Sequence, residues 1–70
     1  MERQAVESSS IRSVGYDPNQ RILEIEFQSG EVYDYFEVPE EVQKEFLEAD
    51  SRGRFFQSSI RGRYASQKQT

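Results

Sequence analysis

The chain has no cysteine and no histidine. Without thiols it can hold neither a disulfide nor a thiolate metal site, and redox chemistry says nothing of its compartment. The missing imidazole removes the commonest transition-metal ligand and the usual general base near neutral pH. Serines in the runs Ser8-Ser9-Ser10 and Ser58-Ser59 therefore lack a histidine to activate them, and no Ser-x-x-Lys spacing occurs. Four glycines and two prolines leave no phosphate-binding loop, because Arg52-Gly53-Arg54 and Arg61-Gly62-Arg63 have neither P-loop nor dinucleotide-fold spacing. No Asp-x-Asp-x-Asp-Gly loop is present for Ca²⁺. No apolar run approaches the roughly 18 residues of a membrane span. The start, Met1-Glu2-Arg3-Gln4, lacks the basic and apolar stretches of a secretory signal, so a cytoplasmic location is expected. These absences point away from catalysis, cofactors, bound metal and small-molecule substrates.

What is present is aromatic and charged. Seventy residues make one domain near the lower limit for an unstapled core, and nine Phe and Tyr residues must supply much of the buried area. A stability of about 3–5 kcal/mol is expected, and self-association could add to it. Residues 1–50 hold all thirteen acids and four of the nine bases, a balance of −9, whereas residues 51–70 hold five bases and no acid. A division of this kind concerns partners rather than fold.

Residues 1–9 read as a disordered N-terminus, residues 10–64 as the folded domain and residues 65–70 as a flexible tail. Ile11 to Tyr16 is β-like, and Asp17-Pro18-Asn19-Gln20 reads as a turn. Leu23, Ile25 and Phe27 alternate with Glu24 and Glu26, the period of a half-buried strand. Gln28-Ser29-Gly30 suits a three-residue hairpin loop with a left-handed glycine. That loop sets Ile25 opposite Tyr33 and Leu23 opposite Tyr35, which turns both tyrosines toward the aliphatic stripe. Val38-Pro39-Glu40-Glu41 opens a helix, with proline expected at its first position and acids in its first turn. Val42, Phe46, Leu47 and Ala49 give it one apolar face. Ser51 can cap a second, shorter helix over residues 52–60 that buries Phe56 and Ile60. The expected class is α+β: a three-stranded antiparallel meander with two short helices packed on one face.

Several segments, in order, resemble the KTSC domain family. They are Val14-Gly15-Tyr16-Asp17, Ser29-Gly30 before Val32-Tyr33-Asp34-Tyr35, and Val38-Pro39. Ala49-Asp50-Ser51-Arg52-Gly53-Arg54-Phe55-Phe56 and Ile60-Arg61-Gly62-Arg63-Tyr64 complete the set. The resemblance covers about residues 8–64, with Tyr33, Tyr35 and Gly53 at motif positions. The family takes its name from the C-terminus of some lysyl-tRNA synthetases, and the resemblance thereby implies RNA as a partner. Gln57 departs from the Asn often found after the second phenylalanine.

Two readings of the charged end stay open. In one, Arg52, Arg54, Arg61 and Arg63 bind RNA phosphates, with Phe55 and Tyr64 as stacking partners; guanidinium groups pair bidentately with phosphate and stack on bases. In the other, those arginines fold back onto Glu24, Glu26 or the acids of the first helix. Tyr33 and Tyr35 are expected in or beside the core, Phe55 at the core edge or in contact with a partner, and Gly62 as a left-handed terminator. A different class of function is a protein-docking or dimerising module, using a sheet edge or an exposed Val32/Phe36 face.

Overall fold

Alternating apolar residues make the central strand, and the rest of the sheet grows outward from it. The computed structural model describes residues 2–69. Five strands, β1 (Arg3–Ala5), β2 (Ile11–Asp17), β3 (Ile22–Phe27), β4 (Val32–Tyr35) and β5 (Ser66–Lys68), form one antiparallel sheet in chain order. Helix α1 (Glu40–Glu48), helix α2 (Arg52–Phe55) and a π-helical turn, Phe56–Ile60, lie between β4 and β5 in the chain.

The expected hairpin register holds. Ile25 pairs with Tyr33 and Leu23 with Tyr35. Gly30 sits at φ 95°, and its N–H donates to the Phe27 carbonyl at 2.9 Å, closing the three-residue loop. Asp17 Oδ1 accepts from the amides of Asn19 (2.9 Å) and Gln20 (3.2 Å), a side-chain-stabilised turn. The left-handed residue of that turn is Arg21 (φ 58°). In β2 the register shifts between Ile11 and Ser13, which leaves Arg12 as the extra residue. Ile11 and Val14 are three apart, and a regular strand would point them to opposite faces; the bulge lets both enter the core.

The core joins Ile11, Val14, Leu23, Ile25 and Tyr35 from the sheet to Val38, Phe46, Phe56 and Ile60. Val38 is locked from two sides: its N–H donates to the Arg21 carbonyl (2.9 Å), and its carbonyl accepts from the Tyr16 hydroxyl (2.6 Å). Pro39 takes the N-cap position of α1, one residue before the first helical position expected for it. Arg52 Nη2 donates to the Leu47 carbonyl at 2.7 Å, supplying the last turn of α1 with a cationic donor.

Two expectations need correction, and a third, the helix over residues 52–60, holds in extent with its geometry refined. The sheet has five strands, not three, because Arg3–Ala5 and Ser66–Lys68 add as edges where a frayed terminus and a flexible tail were expected. Their side chains are exposed and join by main-chain bonds, such as Gln69 N–H to the Val32 carbonyl (2.7 Å), so no hydrophobic pattern announces them. Residues 1 and 70 of those two segments lie outside the described residues. The helix expected over residues 52–60 is one α-turn continued by a π-turn, with Arg61 N–H donating to the Phe56 carbonyl five residues back (2.8 Å). Val32 is 6% exposed, so a Val32/Phe36 surface patch does not exist as such.

Candidate nucleic-acid interface

Ser51 caps α2, its hydroxyl accepting from the Arg54 amide at 3.2 Å. The helix then runs so close to the Ser8–Ser10 segment that a side chain at position 53 would have to push the Ser10 hydroxyl aside. A Cβ there would lie 2.6 Å from Ser10 Oγ. Arg52 and Arg54 border an open groove of about 390 Å³ between that segment and the helix, whose lining also includes the acids Glu7 and Asp50. A second groove of about 430 Å³ opens where the π-turn passes over β3 and β4. Phe27, Tyr33, Tyr35 and Phe56 wall it, Arg61 lies along it, and Gln57 lines both grooves.

The four rings of the second groove close a cycle. Phe27 meets Phe56 edge-on at 5.2 Å, and Phe56 meets Tyr35 at 5.6 Å. Tyr35 and Tyr33 are tilted at 6.3 Å, and Tyr33 returns to Phe27 edge-on at 6.0 Å. Edge-to-face contacts of this kind add to simple area burial. Tyr35 and Phe56 are buried, whereas Phe27 and Tyr33 are half-buried and keep part of their surface at the opening. Burial, followed by the neighbouring Tyr33, holds the Tyr35 hydroxyl above its ordinary pKa, with the Arg61 charge acting the other way.

The charges sort by sheet face. On the face away from the helices, Glu24 pairs with Arg3 (3.0 Å), and Glu26 pairs with Arg12 (3.7 Å) while accepting from Ser13 Oγ (2.8 Å). Glu31 pairs with Lys68 (3.1 Å), whose hydrogen bond and charge lower the Glu31 pKa. Among the described residues, Arg52, Arg54, Arg61 and Arg63 form no ion pair with a carboxylate. Arg3 and Arg12 occupy Glu24 and Glu26, so the fold-back of the late arginines onto those two acids does not occur. Arg61 Nη1 instead donates to Gln57 Oε1 (3.1 Å).

Not every expected site residue joins the grooves. Arg52 and Arg54 border one and Arg61 the other, while Arg63 is exposed beyond them. Phe55 packs on Phe46 with ring centres 5.8 Å apart, and half-buried Tyr64 packs against the core. Neither lines a groove. Tyr35 is a core residue and Tyr33 packs at the core edge, both turned inward by the hairpin register, yet both also wall the second groove. Sequence reasoning passed over Phe27, Phe56 and Gln57. Phe27 continues the strand stripe and Phe56 the helix stripe, so both read as core; Gln57 carries no local signal.

A five-stranded meander that carries two consecutive short helices over one face, with a close glycine contact beside the second, defines a small α+β domain. The KTSC domain profile matches residues 7–64, and the chain belongs to the KTSC family. A KTSC domain protein from Yersinia pestis, solved by crystallography, superposes with a TM-score of 0.94 at 46% identity, covering 99% of this chain and 97% of that one. A protein of Stutzerimonas stutzeri is 61% identical over 56 residues, 80% of this chain and 79% of that protein. Lysine–tRNA ligase of a Nostoc species is 40% identical over 58 residues, 83% of this chain but 10% of the ligase.

Proposed function

We propose that this chain is a non-enzymatic accessory module that binds RNA through the surface formed by α2, the π-turn and their exit. The observation that carries the reading is the sorting of charge. Glu24 and Glu26, onto which the late arginines could have folded back, are held by Arg3 and Arg12, and Glu31 is held by Lys68. Exposed Arg54, Arg61 and Arg63 thus present cationic groups to a partner on the helix side, while Arg52 is held beneath them on the Leu47 carbonyl. Phosphate is the ligand that such groups meet with paired, charge-assisted hydrogen bonds. The chain is acidic overall at −4, so attraction must come from the local patch and should be steeply salt-dependent. Kinship with a segment of a lysine–tRNA ligase supports RNA over other polyanions. The non-enzymatic part rests on chemistry: no imidazole or thiol is available, and the paired strand carboxylates lie on an open sheet face rather than in a cleft.

Titration of the labelled protein with tRNA and with short single-stranded RNA, followed by NMR at low and moderate salt, tests this. Amide shifts should concentrate in residues 51–64, and Arg54→Ala with Arg61→Ala should weaken binding while leaving the melting curve unchanged. Absence of shifts at low salt, or shifts indifferent to both substitutions, would refute the reading.

A further inference from the structure

We infer that the second groove takes a single unpaired nucleobase, with Arg61 on the adjoining phosphate and Gln57 on the base edge. The inference rests on the RNA-binding reading above and names what that surface recognises. Four side chains wall the groove with aromatic carbon, and Phe27 and Tyr33 are the two whose half-exposed rings face the opening from the sheet. About 430 Å³ lies within the range of roughly 300–1,000 Å³ of clefts that hold small organic ligands. A base offers a flat apolar face to aromatic rings and polar atoms along its edge, and stacking of this kind tolerates any sequence.

The polar groups are set for such a guest. Gln57 Oε1 is engaged by Arg61, which orients the amide so that its nitrogen can donate to a base carbonyl or ring nitrogen. Beside Arg61, Gly62 stands at φ 77° with open space where a Cβ would be, so a sugar-phosphate chain can approach the backbone there. The walls also decide the sign of the guest. Aromatic boxes can hold quaternary ammonium groups, but here, among the described residues, the one acid along the groove, Glu31, is paired with Lys68, and Arg61 has no carboxylate partner. An anionic, base-bearing guest fits that balance; a cation does not. A paired base inside an RNA helix cannot present its face, so the groove discriminates single strands from duplex.

The test uses the whole chain, with affinity read from the anisotropy of end-labelled RNA so that variants lacking Tyr33 are scored on the same scale, and with tyrosine emission reporting stacking in the wild type, which has no tryptophan. Short oligouridylate, an RNA duplex of equal length and tetramethylammonium are titrated against wild type, Tyr33→Leu, Tyr33→Phe, Arg61→Ala and Arg54→Ala. Oligouridylate should quench emission and bind more tightly than duplex. Tyr33→Leu should weaken that binding about tenfold, the order of one base–aromatic stack, with duplex binding unchanged, and Tyr33→Phe should restore it. Arg61→Ala should weaken single-strand binding and shift the Gln57 side-chain amide signals. Circular dichroism melts identify any variant that fails to fold, and Tyr33→Phe, which keeps the ring, keeps the test decisive in that event. Equal affinity for duplex and single strand, or equal binding by wild type and Tyr33→Leu, overturns the base pocket. If Arg54→Ala still weakens both RNAs in that case, the broader RNA reading survives. No binding of either RNA overturns both, and quenching by tetramethylammonium alone replaces the base with an ammonium guest.

Discussion

Replacing Asp34 by Asn should stabilise the domain at neutral pH and flatten its pH profile. Asp34 lies directly opposite Glu24 in the β3–β4 ladder, on the sheet face that no helix covers. Its Oδ1 is buried without a hydrogen-bond partner among the described residues. Burial first, then the hydrogen bond and charge of Glu24, push its pKa up from 3.8 to about 6, against a smaller opposing pull from Arg3. An acid whose pKa is raised by folding holds its proton more tightly in the native state, so stability is greatest below the unfolded value and falls as pH rises through the folded one. The loss therefore spans about pH 4 to about pH 6. Two pKa units correspond to at most about 3 kcal/mol. The open face and the Arg3–Glu24 pair screen the charge, which brings the expected cost to about 1–2 kcal/mol. Urea unfolding of wild type and Asp34→Asn from pH 4 to pH 8 measures it. The two should coincide near pH 4 and diverge to about 1–2 kcal/mol in favour of Asn by pH 7. A wild-type advantage at pH 7, or a difference constant with pH, refutes the account of this pair.

At the helix–loop contact, Gly53→Ala should gain roughly 0.5–1 kcal/mol from helix propensity but lose it against Ser10 Oγ, the atom only 2.6 Å from the added Cβ. In a Ser10→Ala background, where the nearest remaining atoms are 3.8 and 3.9 Å away, the gain should reappear, so urea unfolding should yield a positive coupling in the double-mutant cycle. Phe46→Ala removes a fully buried ring and should cost about 3–5 kcal/mol, enough to leave a chain of this size largely unfolded by circular dichroism at 25 °C. For RNA, each of Arg54→Ala and Arg61→Ala should lower the slope of log affinity against log salt by about 0.7, the single-strand value per phosphate; an unchanged slope would remove that residue from the contact.

Much of the fold was legible because its signals are local. Period-two alternation at Leu23, Ile25 and Phe27, and Gly30 three residues into a loop, determine one hairpin and its register. Pro39 before two glutamates and Ser51 before Arg52 mark both helix starts. The division of charge at Asp50-Ser51 is likewise a property of order alone. The edge strands were not legible, since Arg3–Ala5 and Ser66–Lys68 are ordered by backbone bonds to β2 and β4, and such bonds make no demand on side chains. The π-turn depends on where Phe56 and Ile60 must both meet the sheet, a condition that exists only after the sheet is built.

The candidate site divides along the same line. Sequence order determined that the last quarter would be basic and that Tyr33 and Tyr35 would turn toward the core. Tertiary structure decided which charges cancel. Pairing of β1 with β2 brings Arg3 to Glu24, and the β2 bulge leaves Arg12 near Glu26, so these two acids are met on the far face, while among the described residues the late arginines meet no carboxylate. It also decided that residues from β3, β4 and the π-turn would close one aromatic cycle, because Phe27, Tyr33, Tyr35 and Phe56 are neighbours only through pairing and packing. Coulombic partners and ring contacts fall off over a few ångströms, so they are set by distances in space that no spacing along the chain encodes.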